Sequence, residues 1–202
     1  LSITVPPQPE FGEPLPIVPA PEVLAFLARR RSASALTLRA PGPSAAEIET
    51  LLRLAARVPD HGKLAPWRFI LIEGEAKDAV GEALADIAAH RPDASKAIAA
   101  LGKFNIPPLC IAVVSRTQLG DIPAWEQIMS AGAVCTTLLD AAMAMGYGAN
   151  WITDWYAFDL DAQRAFGLAD GEQIAGFIYV GTANEPPLER VRPDLADLIT
   201  RL

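Results

Sequence analysis

The sequence predicts a single α+β domain, a sheet flanked by helices, and three observations carry that prediction. In 202 residues, 51% of them apolar, the chain can bury one sizeable core, and one domain is the natural expectation. Amphipathic stretches with helix-start signals lie between three short apolar runs, RFILIE, LCIAVVS and QIAGFIYVGTA, which read as strands. The order is helices, strand, helices, strand, long helix, strand, which is not the simple alternation of a doubly wound parallel fold.

Residues 1–21 hold seven prolines and no helical period, so they read as an extended arm outside the domain of residues 22–202. From Pro21, PEVLAFLARRR sets Val23, Leu24, Phe26 and Leu27 on a helix with proline in its first turn. Arg29, Arg30 and Arg31 close it, where the helix dipole favours cations. Ser44 and Glu47 make an S-x-x-E capping box for the next helix, whose inward stripe is Ile48, Leu51, Leu52 and Ala55, and which stops before Pro59. The loop PDHGKLAPW leads into the first strand, bounded at Gly74. Helices then fit residues 75–90, on Val80, Ala83, Leu84 and Ile87, and residues 93–103, before the second strand.

Pro123 to Gly146 is a long helical pattern in which Asp140 is the only charged residue after Glu126. A helix apolar on most faces is buried on most faces, and Gly132 with the alanines permits close backbone approach. One domain of this size can hardly cover such a helix all round, so it is expected between the sheet and a second copy of the chain. A short helix at 159–167, the third strand at 173–183 and a short helix in DLADLITRL complete the list.

With 17 basic against 24 acidic residues and a formal net charge of −7, the chain lacks the broad basic surface of a nucleic-acid binder. No apolar run is expected to reach the 18 or so residues of a membrane span, and the N-terminus lacks the basic-then-apolar order of a secretory signal. Cys110 and Cys135 lie in apolar runs and read as buried free thiols, and the expected location is cytoplasmic. The basic cluster must therefore serve something small. Neither GxGxxG after a strand nor GxxxxGK[ST] occurs, so a bound phosphate would be held by side chains. Arginine suits this through its planar, permanently charged fork, and Ser32 and Ser34 add hydroxyl donors. Asp60, His61 and His90 lack the spacing of a helical zinc pair, and no metal site is expected. Ser32 and Ser130 lack the G-x-S-x-G context of a nucleophile.

Five ordered stretches then carry a resemblance: RRSAS at 30–34, RVPDHGKLAPWRF at 57–69, WEQIMSAG at 125–132, GYGANWIT at 146–153 and GFIYVGTA at 176–183. Through them the chain resembles the FMN-dependent nitroreductase family, in its small single-domain members, over most of residues 22–183. The resemblance implies a nitroreductase-like mixed sheet flanked by helices, in a homodimer whose subunits exchange terminal arms and build two FMN sites at their interface. It implies that Arg30, Arg31 and Ser32 grip the FMN phosphate and ribityl chain, and that Arg57 and His61 help to hold the flavin. Trp151, Ile152 and Thr153 would lie against the isoalloxazine ring, typically across the interface. Gly181 and Thr182 would lead the chain toward the phosphate, where Arg192, or in second place Arg190, adds a cation.

Two departures from the family pattern stand out. Lys63 and Ala65 occupy the loop where relatives often have Asn and Gln, and Lys63 near the flavin N1 and O2 would favour the anionic reduced ring. Ser34 and Ala35 stand where many relatives carry a cation. The implied activity is hydride transfer from NADH or NADPH to the flavin, then to a small conjugated acceptor such as a nitroaromatic or quinone. The flavin carries that chemistry, so no catalytic side chain is expected and His61 reads as a positioning imidazole. The alternatives are an FMN-binding carrier or regulatory protein without turnover, or a specialised flavin enzyme such as a dehalogenase or dehydrogenase.

Overall fold

A computed structural model describes residues 4–202, so residues 1–3 of the expected arm lie outside the described residues. In chain order the elements are α1 (Pro21–Arg29), β1 (Leu38–Arg39), α2 (Ala45–Ala55), β2 (Trp67–Glu73), α3 (Gly74–Ala89), α4 (Ala94–Ala100), α5 (Gly102–Asn105), β3 (Leu109–Ser115), α6 (Ala124–Ala144), β4 (Gly148–Ile152), α7 (Leu160–Ala165) and β5 (Gln173–Ala183). The sheet runs β1-β5-β3-β2, with β4 also paired to β5. All its pairings are antiparallel, so the mixture in this α+β fold is of helices and sheet rather than of strand directions.

β5 is the hub. Its 11 residues are long enough to pair with β3 along one stretch, with β4 from Gly148↔Gly181 to Ile152↔Phe177, and with β1 at Leu38↔Ala183. Strand alternation divides its side chains between two cores. Phe177 and Tyr179 join Leu84, Ala97, Phe104 and Phe166 on the face covered by α3, α4, α5 and α7. Ile178 and Val180 join Ile48, Leu51, Val134, Cys135 and Leu138 on the face covered by α2 and α6. The Tyr156 and Tyr179 hydroxyls lie 2.8 Å apart within the first core and satisfy one another, which offsets the cost of burying them.

The Ser44–Glu47 capping box forms as expected, with Ile48, Leu51 and Ala55 facing inward. The 93–103 helix is instead two, α4 and α5, and the C-terminal helix is a 3-10 turn at Leu195–Leu198. Two short strands, β1 and β4, carry no apolar run long enough to announce themselves. Against the sequence expectation, α6 is long and apolar enough to cross a membrane by length and composition. Its buried residues, Val134, Cys135 and Leu138 among them, pack in the sheet-facing core, as a core helix does. The helix at Pro21–Arg29 forms as expected, and none of its residues is buried by the described residues.

Two features of this frame give testable results. Arg68 on β2 holds Glu172 in a two-pronged ion pair, with Nε–Oε1 at 2.7 Å and Nη2–Oε2 at 2.6 Å, and the Ala169 N–H donates to Oε2 at 2.9 Å. The Arg68 hydrogen bond holds the Glu172 carboxyl below its ordinary value, and Glu172 correspondingly raises Arg68. Glu172→Gln is expected to lower stability by about 1–2 kcal/mol near neutral pH. Because the folded pKa is depressed, this contribution is present above the ordinary value of 4.5 and fades as pH falls through the folded value. Urea melts of wild type and variant should therefore differ near neutrality and converge in acid; an equal gap at both would contradict the pairing. The thiols give the second result. Burial pushes Cys110 up and Cys135 up to about 12, so neither should react with a thiol reagent in mild alkali until the chain is unfolded.

Candidate functional site

RRSAS leaves α1 in extended form, with Arg30 at φ −56° and ψ 136°, and runs beside the start of β4. The Ala33 N–H donates to the Ala149 carbonyl at 3.1 Å, and the Asn150 side-chain amide donates to the Ala33 carbonyl. Gly148 is required at this junction, since a Cβ there would stand 2.6 Å from Leu38 Cδ2 and 2.8 Å from Ala183 Cβ. A cavity of about 520 Å³ opens beside it, lined by Arg29, Arg30, Arg31, Tyr147, Gly148 and Pro187 among others, a size suited to a small-molecule ligand.

The three guanidinium groups are engaged differently. Arg30 Nε stands 2.6 Å from Asp140 Oδ1 on α6, yet neither buried atom has an aligned hydrogen-bond partner. The contact is a close charge pair between a guanidinium and a carboxylate on α6. Burial, which outweighs the attraction of Arg30, raises the Asp140 carboxyl above its ordinary value. Arg31 donates from Nε to the Leu188 carbonyl at 2.9 Å and from Nη1 to the Ser32 carbonyl, tying the chain after β5 to this corner. The Ser32 hydroxyl accepts from Arg30 at 3.4 Å, while the Ser34 hydroxyl caps the 3-10 turn at Ala35–Thr37 by accepting from the Leu36 N–H. Arg192 follows Leu188 closely in the chain and is exposed, paired to Glu189 at 2.9 Å.

The second basic group is held by α6 at its other end. His61 Nδ1 is 2.7 Å from Glu126 Oε2, Ser130 donates to the Pro59 carbonyl at 2.8 Å, and buried Gln127 donates to the Gln118 and Ile122 carbonyls. The loop between them is wound tightly. Gly62, Lys63 and Ala65 all have positive φ, of 71°, 57° and 44°, and the Asp60 carboxylate restrains them by accepting the Leu64 and Ala65 N–H groups. Arg57 and Lys63 are exposed and form no ion pair among the described residues.

The two basic groups do not meet within one chain. At 1.5 Å per residue, Glu126 and Asp140 stand about 21 Å apart on α6, so Arg30 and His61 are anchored near opposite ends of it. Trp151 and Ile152 lie in β4, with Thr153 just beyond. Antiparallel strands present alternate residues to each side, and the Ala149 carbonyl already points away from β5 to meet Ala33. The backbone groups of Trp151 therefore face the same open edge. The Trp151 ring lies over Gly176, where no Cβ would fit, and its Nε1 donates to the Ala175 carbonyl at 3.3 Å.

Residues 27–182 match the sequence model of the nitroreductase family. The chain belongs to that family. It is 34% identical over 163 residues to the Escherichia coli (strain K12) protein named "Putative NAD(P)H nitroreductase YdjA", covering 80% of this chain and 88% of that one. A Haemophilus influenzae protein with the corresponding name is 31% identical over 185 residues, covering 90% of this chain and 100% of its own length. Among solved structures, a nitroreductase-like family protein from Bacillus cereus gives a TM-score of 0.79 at 19% identity over 94% of this chain and 99% of the other. A nitroreductase with bound FMN from Bacteroides fragilis gives 0.68 at 18% over 90% and 98%. At these identities the structures establish the fold.

Several residues that shape this nitroreductase corner were not singled out as site residues from sequence. Asp140 was visible as a lone charge in an apolar helix, but nothing in the chain linked it to Arg30. Asn150, Glu126 and Ser130 lie within the resembling stretches, but their partners could not be read there, because the contacts reach residues 117, 65 and 71 positions away.

Proposed function

We propose that the chain is an FMN-dependent NAD(P)H oxidoreductase acting as a homodimer on a small conjugated acceptor. The observation that carries this is the arginine corner: three consecutive arginines, followed by Ser32, around a cavity of ligand size at the start of β4. The names of the relatives and the FMN bound in a structural neighbour support the same reading. The residues present fit a flavin mononucleotide, because three consecutive guanidinium groups line a cavity of ligand size and can meet a phosphate there. FMN, when bound, supplies a centre that takes hydride from NADH or NADPH and passes it to a nitroaromatic, quinone or related acceptor.

Within this reading Arg30, Arg31 and Ser32 bind the phosphate, and Arg192 adds a cation if it leaves Glu189. Ser34 serves mainly as a turn cap that shapes the segment. Trp151, Ile152 and Thr153 present the open edge of β4 to the ring. Arg57, His61 and Lys63 reach the same flavin from a second copy, which removes the separation along α6. The exposed apolar residues of α1 and α6, and of the arm at Phe11 and Ile17, give that copy its seat.

The test is the visible spectrum of purified protein mixed with FMN and desalted, before and after anaerobic NADH or NADPH. Retained flavin that bleaches supports the proposal. Retained flavin that neither nucleotide bleaches turns the reading toward a binding protein, and a folded protein that retains none removes it.

A further inference from the structure

Immediately after β4, Asp154 has φ 33° and ψ −179°, a conformation that residues with a Cβ rarely adopt. Its two carboxylate oxygens have separate partners. Oδ1 accepts the Trp155 N–H at 2.7 Å, a local cap, and Oδ2 accepts Lys103 Nζ at 2.9 Å from α5. The backbone at Lys103 is anchored by neighbouring Phe104, which is fully buried among the rings of Tyr156, Phe166 and Tyr179. On the other side of Asp154, the Trp155 indole donates to the Ala97 carbonyl at 3.1 Å. A turn in a costly conformation is thus tied to the helical layer, one residue beyond Thr153.

We propose that the Lys103–Asp154 pair is a positioning device that sets the Trp151–Thr153 segment for the flavin ring; the inference rests on the flavin reading above. The Asp154 side chain is 14% exposed and that of Lys103 41% exposed. Removing the ammonium leaves a mostly buried carboxylate without its cation on a strained backbone, and both effects favour relaxation of the turn. The adjoining residues are those at the open edge of β4, so the relaxation is transmitted where the ring would lie. Lys103→Met keeps most of the aliphatic stem, so the removal takes the charge and little of the packing.

Lys103→Met and Asp154→Asn, which keeps an oxygen for the Trp155 cap, are compared with Lys103→Arg. The readouts are FMN affinity from flavin fluorescence quenching, the visible circular dichroism of bound FMN, and thermal unfolding without FMN. The first two variants are expected to weaken FMN by roughly tenfold and to alter the flavin dichroism, while the FMN-free protein stays folded at the assay temperature, so that any loss of stability is too small to account for the lost binding. Lys103→Arg should restore both flavin signals. Unchanged affinity and dichroism in Lys103→Met, in a protein that binds FMN, overturns the inference alone. A large drop in FMN-free stability that accounts for the lost binding makes the pair structural and overturns it too. Wild-type protein that binds no FMN overturns the flavin reading and this inference together.

Discussion

Replacing both Arg30 and Arg31 by alanine is expected to weaken FMN binding by about two to three orders of magnitude. Each arginine offers charge-assisted hydrogen bonds to phosphate oxygens, worth about 1.5–3 kcal/mol apiece, and the two do not add fully because they share one ligand. Arg30 should carry the larger share. Beyond the Asp140 pair it makes only a 3.4 Å contact from Nη2 to the Ser32 hydroxyl among the described residues, whereas Arg31 already spends two donors on the Leu188 and Ser32 carbonyls. Arg30→Lys should recover part of the loss at best, since it keeps the charge and gives up the planar fork. Titration by flavin fluorescence at two salt concentrations measures this directly. Wild-type affinity should fall with salt and that of the double variant much less, because the term removed is electrostatic. Equal affinity in wild type and double variant would place the phosphate elsewhere.

The second large effect is expected from Ile128→Asp, which should yield a folded monomer that does not retain FMN. Trp125, Ile128 and Met129 are 66%, 48% and 64% exposed, and with Gly132 they form one stripe at helical spacing on α6. A glycine inside a helix costs up to about 1 kcal/mol relative to alanine. Gly132 has no packing reason for it among the described residues, because a Cβ there would meet none of them within 4 Å. Close approach by a second copy accounts for both the stripe and the glycine. An aspartate in that contact replaces apolar burial by a charge that must lose its water, a cost of several kcal/mol that a pairing of moderate affinity cannot absorb. Light scattering should report the halved mass, circular dichroism an unchanged helix content, and desalting the loss of FMN. A monomer that still retains FMN would show that one chain suffices, and would remove Arg57, His61 and Lys63 from the site.

The sequence by itself determined the fold class, the longer helices and strands, and the family, because these depend on signals short enough to sit in one window. The capping box at Ser44 and Glu47, the period of α6 and the apolar runs of β2, β3 and β5 are such signals. It also marked the arginine run and the Lys63 and Ala65 departures in the PDHGKLAPW loop, since both are contiguous. Only the tertiary structure decided how these pieces are used. β1 and β4 exist because β5 is long enough to pair with them, and a two- or five-residue strand is stabilised by its neighbour rather than by its own composition. The separation of Arg30 from His61 follows from their anchoring near opposite ends of α6, and the Asp140, Glu126 and Lys103 pairings join residues far apart in the chain. Periodicity reports which face of an element is apolar, but the partner of a charge or of an exposed apolar stripe depends on where the rest of the chain, or another chain, is packed.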